Sequence, residues 1–419
     1  MGKLLLKIYY LISPLLFITY IPLFLFTRTR SFSIKTFFKR FFPQIPNFKN
    51  SIIFHSSSLG ELNSIKEMIN IFKEKYPQKP VIITTFTETA LEMAKKITPN
   101  SFLIPFDTKY SINRFLKNAN PQFLFIAETE IWPALINETS KRANVYMINA
   151  RMSEKSFKRY LIISPLIKET LNKFKKIFAQ GQDSYNRFIN FVSKEKVIIT
   201  GNTKYDSLKE SEIKLKDELK KINFEGRKII TFGSVHPDEL EIIIKSFFLL
   251  KKEIEDVRYV IVPRHIEKTE IFKKILENFN IRYSLLSQVK DEDRFKDLYE
   301  TEILIADKLG ILMDFYHASQ ISFVGGTLNK IGGHNLLEPS VYSKPVLFGP
   351  NYRNQKEAAE KLIENRGGFV VSDENDIKAR IKILLKDRKK LEEISINSKK
   401  TLEALQGASE RIIKEIGIS

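Results

Sequence analysis

Glu61 closes the run "HSSSLGE", and Glu128 and Glu130 stand two residues apart in "AETEIWP". Each group follows a short β-branched or aromatic run, "SIIF" and "FLFI", and is therefore expected at the end of a strand. A carboxylate held there within hydrogen-bond reach of a hydroxyl can take its proton as the oxygen attacks, help worth about 10²- to 10⁴-fold. Glu61 is the candidate base, since it follows a strand and Gly60 and opens a helical pattern. In an extended segment Glu128 and Glu130 point to one face, where mutual repulsion raises a pKa and keeps one of them protonated. Arg151 in "NARMSEKS" and Lys204 in "GNTKYD" bring cations suited to an anionic acceptor.

A second constellation is "FVGGTLNKIGGHNLLEP", residues 323–339. Gly325, Gly326, Gly332 and Gly333 let a backbone approach a ligand closely, and loop amides leading into a helix form a phosphate site. Pro339 suits the first position of a helix, and Glu338 beside it suits a ribose diol. Arg264, expected in the loop after the strand "RYVIVP", adds a permanent cation for phosphate or carboxylate. No G-x-G-x-x-G opens either half and no G-x-x-x-x-G-K-[ST] occurs, which removes nicotinamide and P-loop readings and leaves a nucleotide held by distributed loops. His55, His236, His265 and His334 show no H-E-x-x-H and no paired spacing, so no metal is expected.

The elements that must hold these residues alternate. After Asn50 the runs "SIIFHS", "VIITTFT", "FLFIAE", "NVYMINA", "KIFAQ" and "VIIT" are separated by longer helical patterns. A charged segment, residues 204–227, interrupts them, and "KIITFGS", "RYVIVPR", "EILIAD", "QISFVGG", "KPVLFGP" and "GGFVVSD" restart the rhythm. Such alternation predicts parallel sheets wrapped by helices, an α/β fold of two doubly wound domains. The domains are expected at 51–225 and 226–419, the second with terminal helices, after an N-terminal segment 1–50. At 419 residues and 43% hydrophobic the chain is long enough for both cores. It has no cysteine, which excludes a disulfide framework, a thiolate metal site and a cysteine nucleophile.

A formal charge of +19 favours nucleic acid, acidic lipid headgroups or a phosphorylated substrate, although a lysine-rich composition accounts for it equally well. No recognisable nucleic-acid-binding module accompanies the charge, and no nucleic-acid partner is expected. From Ile8 to Phe26 there is no charged residue, and a bilayer core needs roughly 20 apolar residues, so this run is expected to enter the membrane. Pro14 and Pro22 kink a helix, which leaves spanning and interfacial placements both open. Arg28, Arg30, Lys35, Lys39 and Arg40 make the following side basic and cytoplasmic. The phenylalanines interleaved with basic residues from Phe37 to Lys49 are expected to lie on anionic lipid; the alternative is that they enter the first core.

Taken in order, "HSSSLGE", "AETEIWP", "INARMS", "GNTKYD", "GSVHPDE", "VPRH", "FVGGTLNKIGGHNLLEP" and "FGPNYRN" resemble the motif series of the lipid A Kdo transferases (Kdo being 3-deoxy-D-manno-octulosonic acid), inverting glycosyltransferases of family 30. The likeness runs from the apolar N-terminal segment almost to the C-terminus. It implies a GT-B architecture, two Rossmann-like domains facing a central cleft with an N-terminal membrane-anchoring helix. The first domain would bind a lipid A precursor (lipid IVA) and the second CMP-Kdo, on the cytoplasmic face of a Gram-negative inner membrane, with no cofactor, metal or obligate protein partner. Glu61 is then similar to the family's general base, and Glu128, Glu130 and Lys204 to its acceptor-side or transition-state residues. Ser58, Gly60 and Arg151 join them on the acceptor side. Pro263, Arg264, Gly310, Ile311, Leu312, Asn335, Leu336, Leu337 and Glu338 resemble its CMP contacts. At "DKLGIL" the chain departs from the Asp-Thr-x-Gly-Glu-Leu pattern of many relatives, so what carries over there is backbone contact. The alternatives are a GT-B transferase with a uridine nucleotide donor and a membrane-tethered nucleotide-sugar binder without catalysis.

Overall fold

The computed structural model describes residues 1–26, 34–215, 228–288 and 301–417. The chain divides into two compact units, Met1–Ser207 with Leu405–Ser419, and Leu208–Ala404. The boundary expected at 225/226 lies outside the described residues, as do Arg28 and Arg30.

The first unit is built on seven parallel strands, β1 (Ser51–Ser56), β2 (Val81–Thr85), β3 (Ser101–Leu103), β4 (Pro121–Ala127), β5 (Asn144–Ala150), β6 (Lys176–Ala179) and β7 (Val197–Ile199). Their order is β3-β2-β1-β4-β5-β6-β7, which reverses direction between β1 and β4. Unbroken apolar runs form these strands because both faces of a parallel sheet are covered. Ile52, Ile53 and Phe54 of β1 are fully buried, each contributing roughly 1.5–3 kcal/mol. Phe54 stacks on its register partner Phe125 at 4.9 Å, and Phe72 of the helix Leu59–Lys75 closes over both. That helix is thereby fixed across the end of β1.

The N-terminal segment differs from the expectation. Gly2–Phe26 is one helix, but its first half docks on the unit instead of leaving it. Tyr9 donates to Asp107 at 2.7 Å and Tyr10 to Glu138 at 2.9 Å, Ser13 is buried, and Gly2 lies against Pro165. Among the described residues no helix is long and apolar enough to cross a membrane. The two tyrosine hydroxyls explain the docking, since each satisfies a carboxylate of the unit. Part of the basic aromatic flank enters the first unit's core. Arg40 is buried between the rings of Phe86 and Phe106 and donates to the Ile104 carbonyl at 2.9 Å, and Phe37 packs on Phe106, whereas Phe38 and Phe42 remain exposed.

The second unit repeats the plan with β8 (Lys228–Val235), β9 (Val257–Pro263), β10 (Tyr283–Leu285), β11 (Ile303–Ile305), β12 (Ile321–Val324), β13 (Val346–Phe348) and β14 (Gly368–Val370). The order is β10-β11-β9-β8-β12-β13-β14, and the reversal lies at β8, between β9 and β12. Phe232 sits between Tyr259 and Phe323 at 4.5 and 5.4 Å and ties these three strands together.

The last helix, Ala408–Ile416, belongs to the first unit and corrects the expectation that all terminal helices complete the second. Its Ile412 and Ile413 are buried in the cluster that holds Phe54, Ile65 and Phe72. Asp206 caps it from across the sequence, accepting from the backbone N–H groups of Gly407, Ala408 and Ser409 at 2.7, 3.3 and 2.7 Å. Removing a carboxylate cap costs roughly 0.5–2 kcal/mol. Asp206→Ala is therefore expected to lower stability by about that amount in urea unfolding and to raise amide exchange in residues 408–416; unchanged exchange there would contradict the capping role.

Candidate active site

Ser58 is the N-cap of the helix Leu59–Lys75, its hydroxyl oxygen accepting from the Glu61 N–H at 3.3 Å. The Glu61 carboxylate reaches back, accepting from Ser57 N–H at 2.7 Å and from the Ser58 hydroxyl at 2.9 Å. The arrangement is a variant of the capping box that S-x-x-E forms at a helix start. Among the described residues two of the carboxylate's lone-pair directions are used. Burial raises the Glu61 pKa to about 7, with Glu130 and Glu128 adding to the rise and the Ser57 N–H and Ser58 hydroxyl opposing it. A carboxylate poised near neutrality is suited to general-base work. A Cβ at Gly60 would meet nothing nearer than the Ser58 hydroxyl at 3.9 Å, so the fold does not require glycine there, and the first helical turn has open space beside it.

Glu128 and Glu130 do not lie on an extended strand. Glu128 has φ +55°, a left-handed conformation that turns the chain just past β4, and Glu130 accepts from the indole N–H of Trp132 at 2.8 Å. The expected repulsion is nevertheless present. Burial raises the Glu128 pKa, Arg151 lowers it, Glu130 raises it and Lys204 lowers it, so these four charged groups share one neighbourhood with Glu61. Thr129 donates to the Arg151 carbonyl and locks the two loops.

Asn149, a residue the sequence analysis passed over, organises this neighbourhood. It is buried at the end of β5 with φ +53°. Its amide donates to Ser64 at 3.2 Å, and Ser64 donates to the Glu61 carbonyl at 2.7 Å. Its side-chain carbonyl accepts from Thr203 N–H at 3.1 Å, while Asn202 accepts from Lys204 N–H at 3.1 Å, which sets the short turn carrying Lys204. The signal that would have found it is a strand-end asparagine, the residue type most tolerant of positive φ after glycine.

In the second unit the centre is Glu239, fully buried and also unassigned from sequence. Its two oxygens accept four backbone N–H groups: His236 at 3.0 Å, Gly326 at 2.8 Å, Thr327 at 3.0 Å and Leu328 at 3.0 Å. Burial pushes its pKa up and these donors push it down. We assign the carboxylate, because a neutral acid would present a proton to a ring of donors. Gly325 is required by this packing, since a Cβ there would stand 2.4 Å from the Ser234 carbonyl oxygen and 2.9 Å from Glu239. Gly326, at φ +72°, leaves the space occupied by the His334 ring.

Around this clamp the expected nucleotide contacts gather at the ends of β8, β9 and β12. Pro263 ends β9, and Arg264 follows, its N–H donating to the Val235 carbonyl at 2.9 Å. Leu312 packs against Gly233 of β8, which brings Gly310 and Ile311 to the same edge, and Gly310 accepts from Lys214 at 3.1 Å. Glu338 is raised to about 7 by burial, against the pull of Arg264 and Asn335. Leu336 and Leu337 are fully buried, and the Leu337 N–H donates to the Asn335 side-chain carbonyl at 3.3 Å, so this structure opens neither leucine to a ligand. Pro339 does begin a helix, but one of a single 3₁₀ turn, Pro339–Tyr342. Among the described residues no group of three or more His, Asp or Glu is arranged to hold a metal ion.

Residues 35–207 match the family described as 3-deoxy-D-manno-octulosonic-acid transferase (kdotransferase). The 3-deoxy-D-manno-octulosonic acid transferase of Aquifex aeolicus is 32% identical over 84% of this chain and 92% of its own length. The chain belongs to this Kdo transferase family. A bifunctional glycosyltransferase/methyltransferase of Fusobacterium nucleatum subsp. nucleatum is 34% identical over 81% of this chain, which spans about half (53%) of that longer relative. The family's α/β fold is shared more widely. The crystal structure of a UDP-GlcNAc 2-epimerase from Neisseria meningitidis, bound to UDP-GlcNAc, superposes on 87% of this chain and 99% of its own at a TM-score of 0.61 with 16% identity, a likeness of fold alone. Glu61, Glu128, Glu130, Arg151 and Lys204 all fall within the residues matched to the Kdo transferase family.

The clamp makes a prediction. Glu239→Gln replaces one acceptor oxygen by an NH₂ that confronts the two N–H donors bonded to that oxygen, each left unsatisfied at a cost of about 1–3 kcal/mol. The variant is expected to lose at least about 2 kcal/mol of stability by denaturant unfolding; a loss under about 1 kcal/mol, that of one ordinary hydrogen bond, would contradict the clamp.

Proposed function

We propose that this chain transfers Kdo from CMP-Kdo to a lipid A precursor in lipopolysaccharide synthesis, with inversion at the anomeric carbon and Glu61 as the general base. The observation that carries the reading is the half-buried Glu61 carboxylate, raised to about 7, in the part of the chain that matches the Kdo transferase family. An acceptor hydroxyl loses its proton to Glu61 as its oxygen attacks the anomeric carbon. The C–O bond to the phosphate breaks, and its electron pair leaves with CMP. One displacement suffices, so no covalent enzyme intermediate forms. Lys204 and Arg151 are suited to an anionic acceptor and keep Glu128 from rising further. Arg264, Asn335 and Glu338 are suited to the nucleotide.

The direct test is incubation with CMP-Kdo and tetra-acylated lipid A precursor followed by mass spectrometry of the lipid. A mass increase of Kdo supports the reading; turnover of a UDP-sugar instead would reassign the donor. Glu61→Gln is expected to lose at least about 100-fold in kcat with CMP affinity and thermal stability near normal, the lower end for general-base catalysis.

The pH dependence has a definite sign. Glu61 must be ionised to accept a proton, so kcat/KM is expected to fall as pH drops through about 7. Glu130 is the charged neighbour that raises Glu61 most, and Glu130→Gln should move that acid limb to lower pH. A limb that stayed in place or rose would assign it to another group.

We further infer that the first unit meets an anionic membrane surface. Leu4, Leu11 and Leu15 on the N-terminal helix are 60%, 75% and 60% exposed, and Ile162 beside its docking helix Ser164–Leu171 is 83% exposed. Leu11→Glu with Ile162→Glu should reduce co-sedimentation with phosphatidylglycerol vesicles while leaving the melting temperature unchanged; undiminished binding would remove this face from consideration.

A further inference from the structure

His236 and His334 have no role in the reading above, yet their Nε2 atoms lie 2.9 Å apart in rings within 10° of parallel. Two neutral imidazole nitrogens at that separation share one proton. One ring donates from Nε2–H; the other accepts at Nε2 and carries its own proton on Nδ1. The neutral pair therefore keeps one basic nitrogen, Nδ1 of the donor ring. A further proton placed there turns the contact into an imidazolium–imidazole hydrogen bond, which is the stronger for its charge. One more would set two N–H groups face to face. The pair can exchange one proton without moving.

Its position is fixed from both sides. Glu239 accepts the backbone N–H of His236 and of Gly326, and the His334 N–H donates to the Gly325 carbonyl at 3.2 Å. The charged and titratable groups facing the pair are Asp238 from its own turn and Arg264, His265 and Lys268 from the segment after β9. Burial first, then Arg264, holds His334 down at about 4, so with no anion nearby the pair is neutral. An anion beside Arg264 reverses the sign of that local field and favours the extra proton.

We propose that the His236–His334 pair takes up one proton when the donor phosphate binds beside Arg264 and gives it to the departing phosphate, as the general acid of the reaction. This rests on the nucleotide-sugar reading above. The sugar–oxygen bond breaks with both electrons going to the phosphate oxygen, and the new bond forms from the acceptor oxygen. The acceptor's proton goes to Glu61 and later to solvent, while the pair's proton goes to the CMP phosphate and the pair returns to neutrality.

The test is calorimetric titration of the native protein with CMP at pH 7.5 in two buffers of different ionisation enthalpy. About one proton should be taken up per CMP bound, the capacity of a pair whose protonation straddles neutrality. His334→Gln and His236→Gln should each abolish the uptake and lower kcat by about 10²-fold, with a smaller change in donor KM. In the native protein, nitrogen NMR of ¹⁵N-labelled histidine should show one of the five histidines becoming doubly protonated on CMP addition, a readout that does not depend on the variants folding. CMP binding without proton uptake, uptake that survives both substitutions, or an unchanged histidine spectrum would overturn the proposal while leaving the donor reading intact. Failure of the native protein to bind CMP would overturn both.

Discussion

The Glu239 carboxylate is the constraint on which the second unit's chemistry depends. Four backbone amides from two separate strand-end segments converge on its two oxygens. Those amides would otherwise be buried donors with no partner, each costing about 1–3 kcal/mol. One side chain thus ties the turn after β8 to the glycine loop after β12, and the glycines that looked like phosphate contacts are in part there to let this carboxylate in. The loop's remaining polar groups, those of His334, Asn335 and Glu338, are held by a rigid frame and need little reorganisation to act on a ligand.

The first unit reaches a similar end by strain. Glu128 and Asn149 both adopt left-handed backbone where β4 and β5 finish, as Ser234 does within β8. For residues with a Cβ this is uncommon, and it persists where surrounding bonds over-determine it. Asn149 supplies those bonds, linking the helix that bears Glu61 to the turn that bears Lys204. Glu61 itself combines two roles. As part of a capping box it holds the helix start, and because that cap is partly buried, with Glu130 and Glu128 adding their repulsion, its affinity for a proton rises into the working range.

Parallel sheets and most strand positions were legible in the sequence, because an apolar run covered on both faces leaves a plain pattern; the three-residue strands β3 and β10 at the sheet edges are too short to leave one. The capping role of Glu61 was also written there as S-x-x-E, though it was read only as a base. What could not be read is long-range. Nothing near Glu239 announces that three of its four partners are 87 to 89 residues away, and the pairing of His236 with His334 spans 98 residues. Arg40 read as a surface cation because its chain neighbours are basic; only the fold brings Phe86 and Phe106 to either side of it. The apolar N-terminal run read as entering the bilayer because hydropathy does not register that two tyrosine hydroxyls have carboxylate partners in the folded unit.

The capping of Ala408–Ile416 by Asp206 has a consequence for how the chain is made. Most of the first unit emerges from the ribosome before the second, at roughly 5–20 residues per second, yet its core cluster lacks Ile412 and Ile413 until all of the second unit has been synthesised. Its sheet can assemble early, but an apolar surface beside Phe72 stays uncovered for tens of seconds while the other unit folds in between. Maturation of the two units is thereby coupled in time, and a chaperone that shields that surface during elongation would act on the first unit only.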